Sequence, residues 1–422
     1  MNEAKPSDIV KINTVKEEIQ GILLESSEPG IVLIKLKSGY NIGVKKEDIT
    51  NIGVAKHEAK EEKKHELKEK KNLPYIDIII TGGTISSRID YKTGGVKWLT
   101  NPEELFKFYP EIFDVVNVRK IEMPFMKASE NMSAGDWQKL AEICEKSLND
   151  KEVKGIIITH GTDFLHYTSS ALSFFLQNLN KPVVLTYSQR SSDRASSDAS
   201  LNLKCAAYAA VSDMAEVMLV GHASINDDFC YAMPGTKVRK MHASRRDAFK
   251  AINARPFAKI FPDGKIEKLS KHNLRDDGKK VKLDNEFNDK VALLKFYPGQ
   301  DPEILDYYGQ KYHGIIIEAS GLGHVAVSEE AKHDWLPKIK KAIDNGLIIC
   351  MAGQTIYGRL DPRVYSPGRS LMKAGVIFLE DMLAETALVK LGFVLAHREW
   401  KNKIREKMLE NMAGEFNSRL EE

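Results

Sequence analysis

Two short segments place threonines where an amide could be attacked. The first, Thr81-Gly82-Gly83-Thr84, follows the apolar run Ile78-Ile79-Ile80. The second, His160-Gly161-Thr162-Asp163, follows Ile156-Ile157-Ile158-Thr159. Each ends a buried-type strand, and in open α/β sheets ligands bind beyond the carboxyl ends of strands. Glycines such as Gly83 and Gly161 tolerate positive φ and let backbone N–H groups approach a ligand closely. A threonine hydroxyl presented among such groups combines a nucleophile with oxyanion stabilisation. The alcohol is a weak nucleophile until activated; Asp163 supplies a carboxylate, and an ammonium must come from elsewhere in the chain. Taken singly, the first segment reads equally well as a tight turn, and the second as a helix start capped by Thr162 or Asp163. Together, as two polar strand ends, they point to chemistry. No Gly-Lys-Ser/Thr follows either, so neither is a phosphate loop.

The elements that must hold these segments show in the hydrophobic pattern. From Tyr75 onward, continuous Ile/Val runs alternate with amphipathic stretches: Ile76–Ile80, a helix-like Pro102–Tyr109, Val115–Val118, Asp136–Ser147, Gly155–Thr159, Ser169–Asn178, Pro182–Thr186 and Glu216–Val220. That alternation predicts a parallel sheet covered on both faces, an α/β fold. Residues 74–265 read as the larger α/β domain carrying the site, and the polar residues 266–289 as a connector. Residues 290–422 read as a smaller α/β domain with a helical tail, built on Val291–Phe296, Ile304–Tyr308, Gly314–Glu318, Glu329–Asn345, Leu347–Cys350 and Glu380–His397. Ahead of them, residues 1–55 carry four short strand-like runs with tight turns between them, which predicts a small β-barrel. Residues 56–73 are mostly Lys, Glu, His and Ala and read as a charged linker.

Composition narrows the function classes. The chain has 422 residues and a formal net charge of only +3, which argues against binding nucleic acid by bulk charge alone. The first residues lack an apolar stretch for a signal peptide, and no apolar run is long enough to span a bilayer, so a cytoplasmic location is expected. Four scattered cysteines, with no CxxC pair, read as buried thiols in a reducing compartment. His160 and His166 stand six apart, off the zinc-helix spacing, so no metal is expected; His160 reads as a structural hydrogen-bonding residue.

Thr81–Ile85 with His160–Asp163 resembles the bacterial-type L-asparaginase family, from about Tyr75 to Leu395. The resemblance implies a two-domain asparaginase-like α/β core with Thr84 as the first catalytic threonine and Thr162 and Asp163 as further catalytic residues. It implies that Tyr91, in Asp90-Tyr91-Lys92-Thr93-Gly94, assists Thr84, and that Ser129 and Glu130, in Ala128–Met132, bind the amino-acid end of the substrate. The implied catalytic lysine precedes Asp247-Ala248-Phe249; Lys240 is the better match, and Lys237 is the alternative. In this reading the side-chain amide lies between the two threonines, Lys240 and Asp163 tune Thr162, and ammonia leaves. Asp163 could also grip the substrate α-ammonium. Which threonine attacks, and through which intermediate, stays open.

Several segments depart from a free-standing asparaginase. The N-terminal unit and linker are extra, while the Tyr187–Asp198 segment, Arg239–Phe249, Gly321–Val325 and Gly353–Arg359 are instead similar to the D-type subunits of archaeal glutamyl-tRNA(Gln) amidotransferases. That resemblance implies glutamine or asparagine hydrolysis, with ammonia passed to an E-type partner subunit that binds tRNA and uses ATP and Mg. It implies no cofactor in this chain, a homodimer of it, and a heterotetramer. Arg359–Arg369 is a candidate subunit contact, and Arg239, Lys240, Arg245 and Arg246 a candidate RNA patch. The competing readings are a free-standing cytoplasmic L-asparaginase with an accessory domain, and a non-enzymatic scaffold.

Overall fold

The computed structural model describes residues 4–6, 8–24, 26, 29–36, 41–56, 70–89, 96–98, 109–191, 197–328 and 330–419. Tyr91, most of the charged linker and most of the helix-like Pro102–Tyr109 lie outside the described residues.

The N-terminal unit is one antiparallel sheet of β1 (Ile9–Thr14), β2 (Glu18–Leu24), β3 (Ile31–Leu36), β4 (Asn41–Lys45) and β5 (Ile49–Lys56), in the order β4-β3-β2-β1-β5. The strand pattern covers the first four runs; β5 is an addition. It returns to pair with β1, placing Ile52 opposite Ile12, with register shifts at both ends of the pairing. Val10, Ile12, Val32 and Ile34 form its small buried core.

The large sheet takes its strands from β6 (Tyr75–Ile80), β7 (Asn117–Glu122), β8 (Val153–Thr159), β9 (Val183–Thr186) and β10 (Val217–His222), followed by β11 (Cys230–Pro234). A separate hairpin, β12 (Val238–Lys240) and β13 (Phe249–Ala251), interrupts it before β14 (Ala258–Ile260) and β15 (Ile266–Lys268). The order is β15-β14-β11-β10-β9-β8-β6-β7. Strands β7, β6, β8, β9 and β10 are parallel, and the remainder are antiparallel. Helices α1 (Ala134–Leu148), α2 (Leu165–Phe175) and α3 (Ala199–Ala210) lie in the connections between consecutive parallel strands, which need a crossover. In α1, Leu140, Ala141, Cys144 and Leu148 recur at helical spacing and are buried, while Ser133 and Asp136 form a capping box at its start. Asp77 is the polar exception in β6; it is buried and receives a bidentate pair from Arg119, at 3.0 and 2.6 Å.

The smaller sheet runs β16 (Val291–Lys295), β17 (Gly314–Ala319), β18 (Ile348–Gly353) and β19 (Ile377–Phe378), all parallel and in chain order. Helices α4 (Ile304–Lys311), α5 (Leu336–Asp344), α6 (Ser366–Lys373) and α7 (Ala384–Ala396) accompany it. Helix α5 is shorter than the Glu329–Asn345 pattern, because Pro337 sits in its first turn and favours a helix start there. The polar stretch after 265 is not purely a link. Its first residues form edge strand β15, and Lys282–Leu283 pairs with Leu176–Gln177. One hydrophobic core runs through both α/β units: Phe174 and Phe175 of α2 pack on Phe393 of α7, each with ring centroids 6.0 Å apart.

Candidate active site

The sheet order reverses between β6 and β8. From β6 the chain steps outward to β7, then returns to the other side of β6 to lay down β8, β9 and β10. That switch point opens a crevice at the carboxyl ends of two adjacent strands. The register pairs Ile80 with Thr159, so the two candidate segments leave the sheet side by side. Thr81 ties them together: its N–H and its hydroxyl both donate to the Thr159 carbonyl, at 3.2 and 2.8 Å.

The glycines serve close approach. Gly82 and Gly83 have φ of 123° and 82°, where a side chain is strained. A Cβ on Gly83 would stand 2.6 Å from the Gly161 Cα and N, so the two loops touch backbone to backbone. A Cβ on Gly161 would in turn come within 3.2 Å of the Ser129 side chain. Three segments far apart in the chain thus meet at one point without intervening side chains. Thr84 opens a short 3-10 turn, Thr84–Ser86, and is half-buried. Ser129 is buried and its hydroxyl accepts the Phe164 N–H at 3.2 Å, which links the Ser129 turn to the His160–Asp163 segment. Glu130, next along that turn, is exposed.

Hairpin β12–β13 delivers the ammonium. Lys240 Nζ donates to Thr162 Oγ1 at 2.8 Å and to Asp163 Oδ1 at 2.7 Å. An ammonium can only donate, so Thr162 accepts from Lys240 and its own hydroxyl proton is left for another acceptor. Asp163 is mostly solvent-facing while Lys240 is largely covered. Lys237 does not reach the threonines: it is fully buried on Asp381 Oδ2, at 2.6 Å. Thr162 and Asp163 are not caps either, since α2 begins at Leu165 and its start has no side-chain cap. The basic cluster is internally paired: Arg239 with Glu385, Arg245 with Asp247, and Arg246 with Asp227.

His160 is buried between the Gly161 carbonyl, 2.7 Å from Nδ1, and the Thr168 hydroxyl, 2.9 Å from Nε2. A carbonyl only accepts, so Nδ1 carries the proton and Nε2 accepts from Thr168. Burial lowers its pKa to about 4, so the ring is neutral and braces the loop from beneath. His166 is likewise lowered to about 4 by burial, with the Glu385 carboxylate opposing. It lines a cavity of about 560 Å³ beside Lys240 and Asp163, together with Tyr167, Arg239, Glu318 and Glu385. A larger cleft of about 1380 Å³ opens near Val217, at the amino end of β10, and holds neither threonine. Of the candidate residues, Lys240 and Asp163 line the smaller cavity and not the larger one. Among the described residues no group of three His, Cys, Asp or Glu side chains is placed to hold a metal ion. All four cysteines are buried and free.

The family model described as "Asparaginase, N-terminal" matches residues 75–273, and "Glutaminase/Asparaginase C-terminal domain" matches 290–408. A "GatD N-terminal domain" model matches residues 4–55. The D-type subunit of the glutamyl-tRNA(Gln) amidotransferase of Thermococcus kodakarensis is 49% identical over 97% of this chain and 94% of its own length. The corresponding subunit of Pyrococcus furiosus is also 49% identical, over the same shares. The chain belongs to the family of glutamyl-tRNA(Gln) amidotransferase D-type subunits. Among solved structures, the thermostable L-asparaginase of T. kodakarensis is 28% identical, with a TM-score of 0.73, over 81% of this chain and 99% of that one. L-asparaginase I of Vibrio cholerae is 28% identical, with a TM-score of 0.69, over 82% and 99%. This D-type subunit therefore shares the asparaginase-like core, and the N-terminal β-rich unit is what it carries in addition.

Within this D-type chain, sequence reasoning passed over Asp381, Glu385 and Glu318, and weighed His166 only as a metal ligand. No local signal marks them. Asp381 and Glu385, four apart at the start of an apolar helix, gain meaning only when Lys237 and Arg239 arrive from another part of the chain.

Proposed function

We propose that Thr84 is the nucleophile that cleaves a side-chain amide and that Thr162, Asp163 and Lys240 manage the protons as ammonia leaves. Thr84 Oγ1 forms a bond to the amide carbon and gives up its proton. Backbone N–H groups of the glycine-rich strand ends face the developing oxyanion. The amide nitrogen takes up that proton, the carbon–nitrogen bond breaks and ammonia departs, and water then cleaves the ester to release the acid and restore the Thr84 hydroxyl. Tyr91 assists Thr84, and Ser129 and Glu130 hold the amino-acid end of the substrate. The observation that carries this reading is the Lys240 ammonium within hydrogen-bond reach of both Thr162 and Asp163.

The chain is the asparaginase-type amidase component of a Glu-tRNA(Gln) amidotransferase, an ammonia-supplying part of a carbon–nitrogen ligase used in protein biosynthesis, and it works in a multi-subunit complex. The finer organisation that best fits is a homodimer of this chain joined to two copies of an E-type partner subunit in a heterotetramer. In it, the E-type partner binds the tRNA and uses ATP and Mg, while this chain needs no cofactor and works in the cytoplasm. The N-terminal unit at residues 4–55 and the near-full-length match to D-type subunits favour this over a free-standing L-asparaginase.

The test is ammonia release from glutamine and from asparagine, with and without the E-type partner, ATP and Glu-tRNA(Gln). Strong stimulation by the complete mixture is expected, and full partner-independent turnover of asparagine would favour the free-standing enzyme. Thr84→Val should lower the rate by at least about a thousandfold. A parental rate in that variant would end the nucleophile assignment.

A further inference from the structure

The hairpin that presents Lys240 is held from the far side by the other α/β unit. In an extended segment alternate side chains face opposite ways. Lys240 faces the larger unit, where it meets Thr162 and Asp163, and Val238, on the same side of the strand, joins the core shared by both units. Lys237 and Arg239 face the smaller unit. Lys237 Nζ donates to Asp381 Oδ2 at 2.6 Å and to the Asp381 carbonyl at 3.1 Å. Arg239 Nε donates to Glu385 Oε1 at 2.6 Å. Asp381 and Glu385 lie one helical turn apart, at the entry to α7 and on its first turn. Asp381, Glu385 and Lys237 are all buried.

The acids are themselves held. The Asn417 N–H donates to the Asp381 carboxylate at 3.2 Å. Thr236, just before the hairpin, donates to the Ala413 carbonyl at 3.1 Å, and its own carbonyl accepts from Thr386 of α7 at 2.8 Å. The C-terminal segment and α7 therefore grip the root of the hairpin. From the larger unit, the Phe249 ring of β13, opposite Lys240 in register, packs 4.7 Å from Tyr187. Among the described residues this three-residue strand pairs only with its hairpin partner, so without the two ion pairs it would carry Lys240 on a short lever.

We propose that Lys237–Asp381 and Arg239–Glu385 form a two-point clamp through which the smaller α/β unit positions Lys240 for proton transfer at Thr162. The four residues are positioning residues, and the proposal rests on the assignment of Lys240 made above. A fixed side chain loses rate when its support slackens, because a displacement of about 1 Å in a reacting group costs up to about a hundredfold.

Steady-state ammonia release by the intact amidotransferase complex tests it, with thermal melts recorded on each variant. Arg239→Gln is expected to lower kcat by roughly tenfold to a hundredfold with KM within about twofold. The reversed pair, Arg239→Glu with Glu385→Arg, is expected to recover most of that loss. A purely structural pair would move the melting temperature without this kcat-selective change. Lys240→Met serves as the reference for the underlying assignment. An inactive Lys240→Met beside a fully active, folded Arg239→Gln overturns the clamp alone; a fully active Lys240→Met overturns the Lys240 assignment itself. Should Arg239→Gln lack a cooperative melt, Glu385→Gln decides on the same split: a kcat loss at unchanged KM supports the clamp, and a parental kcat overturns it.

Discussion

His160 illustrates how one buried side chain ties stability to the site. Its ordinary pKa of 6.5 is lowered to about 4 by burial. Between those values the unfolded chain binds the proton and the folded chain does not. Stability is therefore full above about pH 6.5 and is lost as pH falls toward 4, by roughly 3 kcal/mol for this group. Urea midpoints taken from pH 7 down to 4.5 should show a slope to which His166, lowered likewise, also contributes, and His160→Gln should reduce it by about half. Equal slopes for the two proteins would mean that the ring does not stay neutral in the fold. The same residue was read in the sequence as a structural hydrogen-bonding one, and its ring makes two such bonds. Its partner Thr168 was not legible, since it lies on α2, eight residues on, and only the path of the chain brings it back.

At the level of elements, the contact of two loops decides the site. Gly83 meets Gly161 because β6 and β8 are neighbours in register. Gly83→Ala would force a Cβ against the Gly161 backbone at a φ that disfavours it. It should cost about 1–3 kcal/mol of stability and lower ammonia release by at least about tenfold. Chemical denaturation and a kinetic assay on the same sample measure both effects. A variant with parental rate and stability would show that the loops have room to part. Element boundaries were legible where a pattern was continuous, as in β6 and β8. They were misjudged where a local breaker acted: Pro337 starts α5 late, and the Ser169–Asn178 run forms a helix from Leu165 that stops at Phe175, followed by a two-residue strand.

For the molecule as a whole, the two α/β units share one core, so they should unfold together. Phe393 lies at the join, packed on Phe174, Phe175 and Trp400. Phe393→Ala should destabilise by about 3–5 kcal/mol and lower a single cooperative transition of both units. Two separated transitions in a calorimetric scan of the parental core would contradict a shared core. Among the described residues, the N-terminal sheet has its own small core of four buried residues and takes no part in that cluster. The three family matches follow the same succession along the chain, at 4–55, 75–273 and 290–408.

By itself, the sequence determined the fold class and pointed to a candidate site. The Ile/Val runs predicted buried strands of a covered parallel sheet, and two polar strand ends bearing Thr84, Thr162 and Asp163 marked a candidate site. These are local properties, carried by neighbouring residues through periodicity and backbone freedom. Tertiary structure decided what local pattern cannot encode. It reversed the strand order beside β6, which set Thr84's loop against Thr162's. It separated two lysines three residues apart, sending Lys240 to the threonines and burying Lys237 on Asp381. The physical reason is the same in both cases: pairing between strands and charges distant in sequence depends on how the chain folds back, and a hairpin's alternation turns a small difference in position into opposite faces of the protein.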